Sequence, residues 1–117
     1  MQHPRAFELS DEHIRAGLVV VFEHWGAPAG FVVVIPRNDG VADLEGPFVE
    51  PDLWRSGIGR KLVEEAAHFA TALEANALVA NASQRAAPFY AKCGFATAEV
   101  VKTPHGPVSL MSRSLVF

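Results

Sequence analysis

Cysteine occurs once in the 117 residues, at Cys93, so no disulfide can close within the chain. A single thiol fits a reducing compartment, and a cytoplasmic location is expected. Basic residues are not in excess: ten Lys and Arg against thirteen Asp and Glu leave a net charge of −3. Nucleic-acid binders usually carry the opposite balance, so nucleic acid is not an expected partner. Any anion must be held by local geometry rather than by the field of the whole molecule. Long apolar runs are also missing. Residues 18–22 and 31–35 are the longest, far too short to span a bilayer. Met1-Gln2-His3-Pro4-Arg5 has no apolar segment behind it, so no signal peptide is expected. His3, His13, His24, His68 and His105 show no metal-ligand spacing, and no metal is expected. Tyrosine, like cysteine, occurs once, at Tyr90.

What is present is the composition of an ordinary globular chain, half hydrophobic and one-fifth charged. Its length suits one domain over residues 1–117. Valine-rich residues 17–24 and 31–35 read as strands around a turn cluster at 25–30. Asn38-Asp39-Gly40 is a hairpin signal, and Val41 to Val49 reads as a third strand. The first half is therefore expected to be an antiparallel meander. From about Gly57 to Ala75 the period changes. Ile58, Leu62, Ala66, Phe69, Ala70 and Leu73 fall on one helical face, with Asn76 as the expected C-cap. Residues 77–82 form a short apolar strand. Strand, helix, strand makes a βαβ crossover, so the third and fourth strands should be parallel neighbours. Ser83 can cap a second helix from Gln84 to Lys92, with Pro88 kinking its first turn and Gly94 stopping it. Residues 97–102 and 108–115 flank Pro104-His105-Gly106-Pro107 as a closing hairpin.

Gly57 and Gly59 stand where a strand hands over to an amphipathic helix. Glycine exposes backbone amides and lets a ligand approach closely. A helix N-terminus supplies unpaired N–H groups and the positive end of its dipole. Arg55, Arg60 and Lys61 add charge beside it. A dinucleotide fingerprint would need a third glycine where Leu62 stands, and a P-loop would need Gly-Lys-Ser/Thr. A glycine turn with solvated basic residues explains these positions equally well by itself.

The wider pattern is more specific. Phe48-Val49-Glu50-Pro51 followed by Trp54-Arg55-Ser56-Gly57-Ile58-Gly59-Arg60 resembles the acetyl-CoA signature of the GNAT superfamily of N-acetyltransferases. That signature reads Arg/Gln-x-x-Gly-x-Gly/Ala after a strand ending in Val-x-Pro. A second block agrees: Asn81-Ala82-Ser83, then Phe89-Tyr90-Ala91-Lys92-Cys93-Gly94-Phe95, is similar to the family's later segment. Roughly residues 17–117 are covered. Trp54 departs from the usual Arg or Gln, at a place where backbone amides make most of the pyrophosphate contacts.

The resemblance implies an α/β (α+β) fold with a mixed, mostly antiparallel sheet around a central βαβ crossover. It implies acetyl-CoA as cosubstrate and transfer of its acetyl group to a primary amine by direct attack. Trp54, Arg55, Ser56, Gly57, Ile58, Gly59 and Arg60 would cradle the pyrophosphate. Phe48 and Val49 would pair their backbone with the pantetheine arm, and a backbone amide near Val49 would meet the oxyanion. Asn81 and Ser83 are candidates to hydrogen-bond that arm, with capping as the alternative for Ser83. Tyr90 matches the family tyrosine that serves the departing thiolate. The competing reading is a core tyrosine packed beside Phe89 and Phe95. Asp43 and Glu45 are two apart on one strand face and are the candidate bases. Both could equally be solvent-facing strand residues. Glu50 and His24 are weaker candidates, and Cys93 is read as a buried apolar residue.

Only about 16 residues precede the meander, and Ser10 can cap one short helix there. The acceptor side is therefore expected to be abbreviated. It would either be open to a small-molecule or protein-borne amine or be completed by a homodimer partner. A non-catalytic CoA-binding regulatory module is the competing function.

Overall fold

The computed structural model describes residues 18–24 and 26–115. The expected helix at Ser10, the N-terminal leader question and His3 and His13 lie outside them. The chain runs β1 (Leu18–His24), β2 (Ala27–Pro36), β3 (Val41–Val49), α1 (Ile58–Ala72), β4 (Ala77–Ser83), α2 (Ala87–Lys92), β5 (Ala96–Thr103) and β6 (Gly106–Ser114). A 3-10 turn, Pro51–Leu53, follows β3. The fold is mixed α+β, as expected. One sheet takes the order β1-β2-β3-β4-β6-β5, and every neighbouring pair is antiparallel except β3–β4. No described helix is long and apolar enough to cross a membrane.

The meander forms with a shorter first turn than residues 25–30, because β2 already begins at Ala27. A register shift between Phe22 and Glu23 sets Pro28 opposite Glu23, an irregularity of the kind that tolerates a residue without an N–H. At the second turn Gly40 takes φ +82°, and the Asp39 carboxylate accepts the Val41 N–H at 3.2 Å.

Helix α1 lies on the sheet through Ile58, Leu62, Val63, Ala66, Ala67 and Ala70, all buried. Phe69 and Leu73, expected on that face, are instead 42% and 44% exposed. The buried stripe centres between the 62-66-70 and 63-67 rows, so residues 69 and 73 fall on its flank. Alanines in the stripe let the helix sit close to Val32, Val34, Ala42, Leu44, Leu78 and Ala80. Asn76 is not the C-cap. The helix ends sooner, with Glu74 left-handed at φ +66°. The Ala75 and Glu74 amides return to the Ala70 and Thr71 carbonyls at 2.9 Å each, a Schellman closure. Asn76 instead donates its amide to the Gly40 carbonyl at 2.7 Å, tying the start of β4 to the hairpin turn.

The second helix is shorter than expected. Its N-cap is Ala86 rather than Ser83, and residues 84–86 form a turn in which the Ser83 hydroxyl accepts the Ala86 N–H at 3.2 Å. Pro88 therefore falls in the first helical turn, where no N–H is needed, and kinks nothing. Gly94, at φ +90°, ends this helix. The Phe95 amide bonds the Tyr90 carbonyl at 3.0 Å, and the two rings pack edge to face at 5.5 Å.

One feature of the sheet positions the site. Strands β3 and β4 pair only at Val41–Ala77, Ala42–Leu78 and Asp43–Val79. Beyond Asp43 the register of β3 against β2 shifts. Phe31 faces Phe48 but Val33 faces Glu45, so β3 carries an extra residue around Gly46 and Pro47. Such a bulge bends a strand and ends its regular pairing. The outer half of β3 is thus left without β4 beside it.

Candidate active site

At the start of α1, the Lys61 N–H donates to the Gly57 carbonyl at 3.1 Å, the first bond of the helix. The amides of Gly57, Ile58, Gly59 and Arg60 accordingly have no intrahelical acceptor. The loop reaches this point through two left-handed residues, Arg55 at φ +68° and Gly57 at φ +91°. The Ser56 hydroxyl and amide both fold back onto the Leu53 carbonyl. The two glycines serve different ends. A Cβ on Gly57 would touch nothing within 4 Å, so glycine is there for its backbone angle. A Cβ on Gly59 would stand 3.3 Å from the Phe89 ring and 3.5 Å from Pro47, so glycine there sets a close approach.

A cleft of about 780 Å³ opens in front of these amides. Phe48 and Val49 of β3, Trp54, Arg55, Gly57, Gly59 and Arg60 line it on one side, and Phe89 and Tyr90 of α2 on the other. Glu50 donates its N–H to the Ala29 carbonyl at 2.9 Å, toward β2. Strand alternation then turns the N–H and C=O of Val49 the other way, to the side β4 has left. The Trp54 indole confirms that direction, donating from Nε1 to the Val49 carbonyl at 2.8 Å. The Phe48 ring is half exposed and stacks on Phe31 at 4.8 Å.

A second, polar cavity of about 290 Å³ lies beyond Tyr90, lined by Asp43, Leu44, Glu45, Gly46, Val79, Asn81 and Tyr90 itself. Tyr90 is the residue the two spaces share. Its ring is buried between Phe89 and Phe95. Its hydroxyl donates to the Gly46 carbonyl on the β3 bulge. Burial pushes its pKa above the ordinary tyrosine value, with the neighbouring Cys93 adding to the effect.

The structure therefore gathers Asp43, Glu45, Asn81 and Tyr90 in one cavity. It gathers Phe48, Val49, Trp54, Arg55, Gly57, Gly59, Arg60 and Tyr90 in the other. Asp43 is partly engaged, since Arg37 lies 3.4 Å from its carboxylate and 2.6 Å from Asp39. The Ile58 side chain points into the core, leaving its amide at the helix start. Ser56 and Ser83 do not line either space, and Asn81 lines the polar cavity rather than the larger cleft. Glu50 lines neither. No group of three or more His, Cys, Asp or Glu among the described residues could hold a metal.

Sequence reasoning missed Pro47, Leu53, Pro88, Phe89, Lys92 and Cys93 as cleft residues. Phe89 and Lys92 flank Tyr90 on a short helix, which was a usable signal. Cys93 is buried, as read, but its burial is against the cleft, and burial raises its pKa. Arg113 was also missed. It grips Glu64 with two bonds, 2.7 and 3.2 Å, and the Cys93 carbonyl at 3.2 Å. It thereby joins α1 and β6 to the end of the helix that carries Tyr90.

A model of the acetyltransferase (GNAT) family matches residues 2–95. No curated protein matches the sequence. Among solved structures, an aminoglycoside 6'-N-acetyltransferase complexed with coenzyme A superposes with a TM-score of 0.83 at 16% identity, covering 92% of this chain and 78% of that one. A Bacillus subtilis acetyltransferase in complex with CoA gives 0.79 at 18% identity, over 91% and 82%. A protein from Desulfovibrio desulfuricans assigned to the GNAT family gives 0.77 at 25% identity, over 91% and 76%.

Proposed function

The chain belongs to the GNAT acetyltransferase family, and from that premise we propose that it moves an acetyl group from acetyl-CoA to a primary amine by direct attack. One observation carries this reading: a cleft running from the free amides of α1, along the unpaired edge of β3, to a buried tyrosine with a carboxylate-lined cavity behind it. The pyrophosphate is assigned to the amides of residues 57–60, with Arg55 and Arg60 at the rim. The pantetheine arm is assigned to the edge of β3 at Phe48 and Val49. The thioester then falls near Tyr90, and the amine enters from the polar cavity.

The attacking amine must be neutral. A lysine-like amine with pKa about 10.4 is neutral in only about one molecule in 2,500 at pH 7, a cost of about 4.6 kcal/mol. An α-amine near 7.8 loses only about 1 kcal/mol. Asp43 or Glu45, directly or through water, is assigned as acceptor of the ammonium proton. The C–N bond forms as the tetrahedral oxyanion develops. A backbone N–H near Val49, on the cleft side of β3, is the assigned donor to that oxygen. The C–S bond then breaks, and the second proton lost by the amine passes, directly or through water, to the departing thiolate, which leaves as coenzyme A thiol.

Tyr90 is assigned to the departing sulfur. Tyrosine at about pKa 10 and a thiol at about 8.5 make full proton transfer uphill by roughly 2 kcal/mol. Burial raises Tyr90 further and widens that gap. A hydrogen bond that stabilises the thiolate, with the hydroxyl turning from the Gly46 carbonyl to the sulfur and the proton kept on oxygen, is the role these magnitudes favour. The test is thiol release from acetyl-CoA across a panel of α-amines, polyamines and peptide lysines. Amine-dependent release supports the reading. Saturable binding of acetyl-CoA with no release across the panel would instead support the non-catalytic CoA-binding module.

A further inference from the structure

The Trp54 side chain makes a contact that the acyl-transfer reading does not use. Its indole N–H donates to the Val49 carbonyl at 2.8 Å, across the 3-10 turn Pro51–Leu53 that folds the chain back over the end of β3. Val49 is the residue whose peptide groups face the space β4 has vacated. An extended ligand that adds to this edge as a strand must donate an N–H to that carbonyl and accept the N–H beside it. The pantetheine arm carries two amides and has that capacity. The bond it would make to Val49 is already made by Trp54.

We propose that Trp54 is an intramolecular competitor of the pantetheine arm: its indole caps the free edge of β3 and must leave the Val49 carbonyl when the arm docks. Three observations support this. The ring lines the cleft beside Val49, so it stands in the path of the arm. The residue is 66% exposed, so it can swing out without disturbing the core. The bond satisfies a strand edge that would otherwise present an unpaired acceptor. The residue thus sets a threshold. Ligands that engage the phosphate turn alone leave Trp54 in place, whereas ligands with the arm must displace it and bind more weakly than their contacts alone would allow.

This inference rests on the assignment of the arm to β3 in the proposed function. Its test is calorimetric titration of coenzyme A, and separately of adenosine 3',5'-bisphosphate, into the wild-type chain and Trp54→Phe. Phenylalanine keeps an aromatic ring at the position and removes the donor together with the pyrrole half of the indole. Coenzyme A is expected to bind the variant about three- to tenfold more tightly, the range of one net hydrogen bond. The bisphosphate, which lacks the arm, is expected to bind both proteins within about twofold. Equal or weaker coenzyme A binding by a folded Trp54→Phe, with the wild type still binding, overturns this inference alone. Absence of coenzyme A binding in both proteins overturns the functional reading and this inference with it.

Discussion

Tyr90 joins two spaces that nothing else among the described residues bridges. Its hydroxyl already points at the β3 bulge, through the Gly46 carbonyl. Tyr90→Phe removes that donor and keeps the ring between Phe89 and Phe95. The expected result is a fall in kcat of about 10- to 100-fold, the worth of one hydrogen bond to a charged sulfur, with KM for acetyl-CoA changed less than about threefold. Steady-state thiol release measures both, and an unchanged kcat would remove Tyr90 from the chemistry. Because burial raises its pKa, Tyr90 should stay protonated in the wild type throughout the range below about pH 10. At this scale the sequence was legible where a motif surrounded the residue. Tyr90, Gly57 and Gly59 were of that kind. The Trp54–Val49 bond was not, because it depends on how a 3-10 turn redirects the chain.

Two elements make the cleft, a bulged β3 and the start of α1. The turn between them stores a left-handed angle at Gly57, where a side chain would meet no atom but would meet a torsional penalty. Gly57→Ala is expected to cost about 1–2 kcal/mol of stability and to weaken coenzyme A binding by roughly tenfold, since the amides must be re-aimed. Urea denaturation and calorimetry on the same preparation separate the two effects. The third strand and the crossover were read correctly because alternation and helical period are local signals. The splay of β3 from β4 has no such local signal, since it arises from a bulge whose register is set by β2. The ends of both helices were misread for a related reason. Asn76 is recruited by the Gly40 carbonyl, and Ser83 by a turn that precedes α2. A distant carbonyl in the first case, and the neighbouring Ala86 N–H in the second, won over the expected capping role.

Across the whole molecule, the ion pair between Glu64 and Arg113 holds the working parts together. It links α1, whose N-terminus faces the cleft, to β6 and to Cys93, the residue that follows the Tyr90 helix. Its hydrogen bond to Arg113 holds the Glu64 carboxyl below the ordinary glutamate pKa. The sign follows. A carboxyl depressed on folding stabilises the fold above its unfolded pKa of about 4.3 and loses that contribution as pH falls through the folded value. Glu64→Gln is therefore expected to lower the urea midpoint at pH 7 and to converge with the wild type as the pH falls through the folded value. The effect should be modest, because the Glu64 side chain is 46% exposed.

The net charge of −3 gives no global attraction for a highly anionic ligand. Binding must therefore rest on local amides, the rim arginines and the edge of β3 that β4 leaves uncovered. Calorimetric titration of acetyl-CoA into the wild-type chain tests that most directly. Saturable binding at one site per chain, with the bisphosphate fragment competing for it, is the expected result. Absence of any binding heat together with no protection against thermal unfolding at millimolar acetyl-CoA would contradict it.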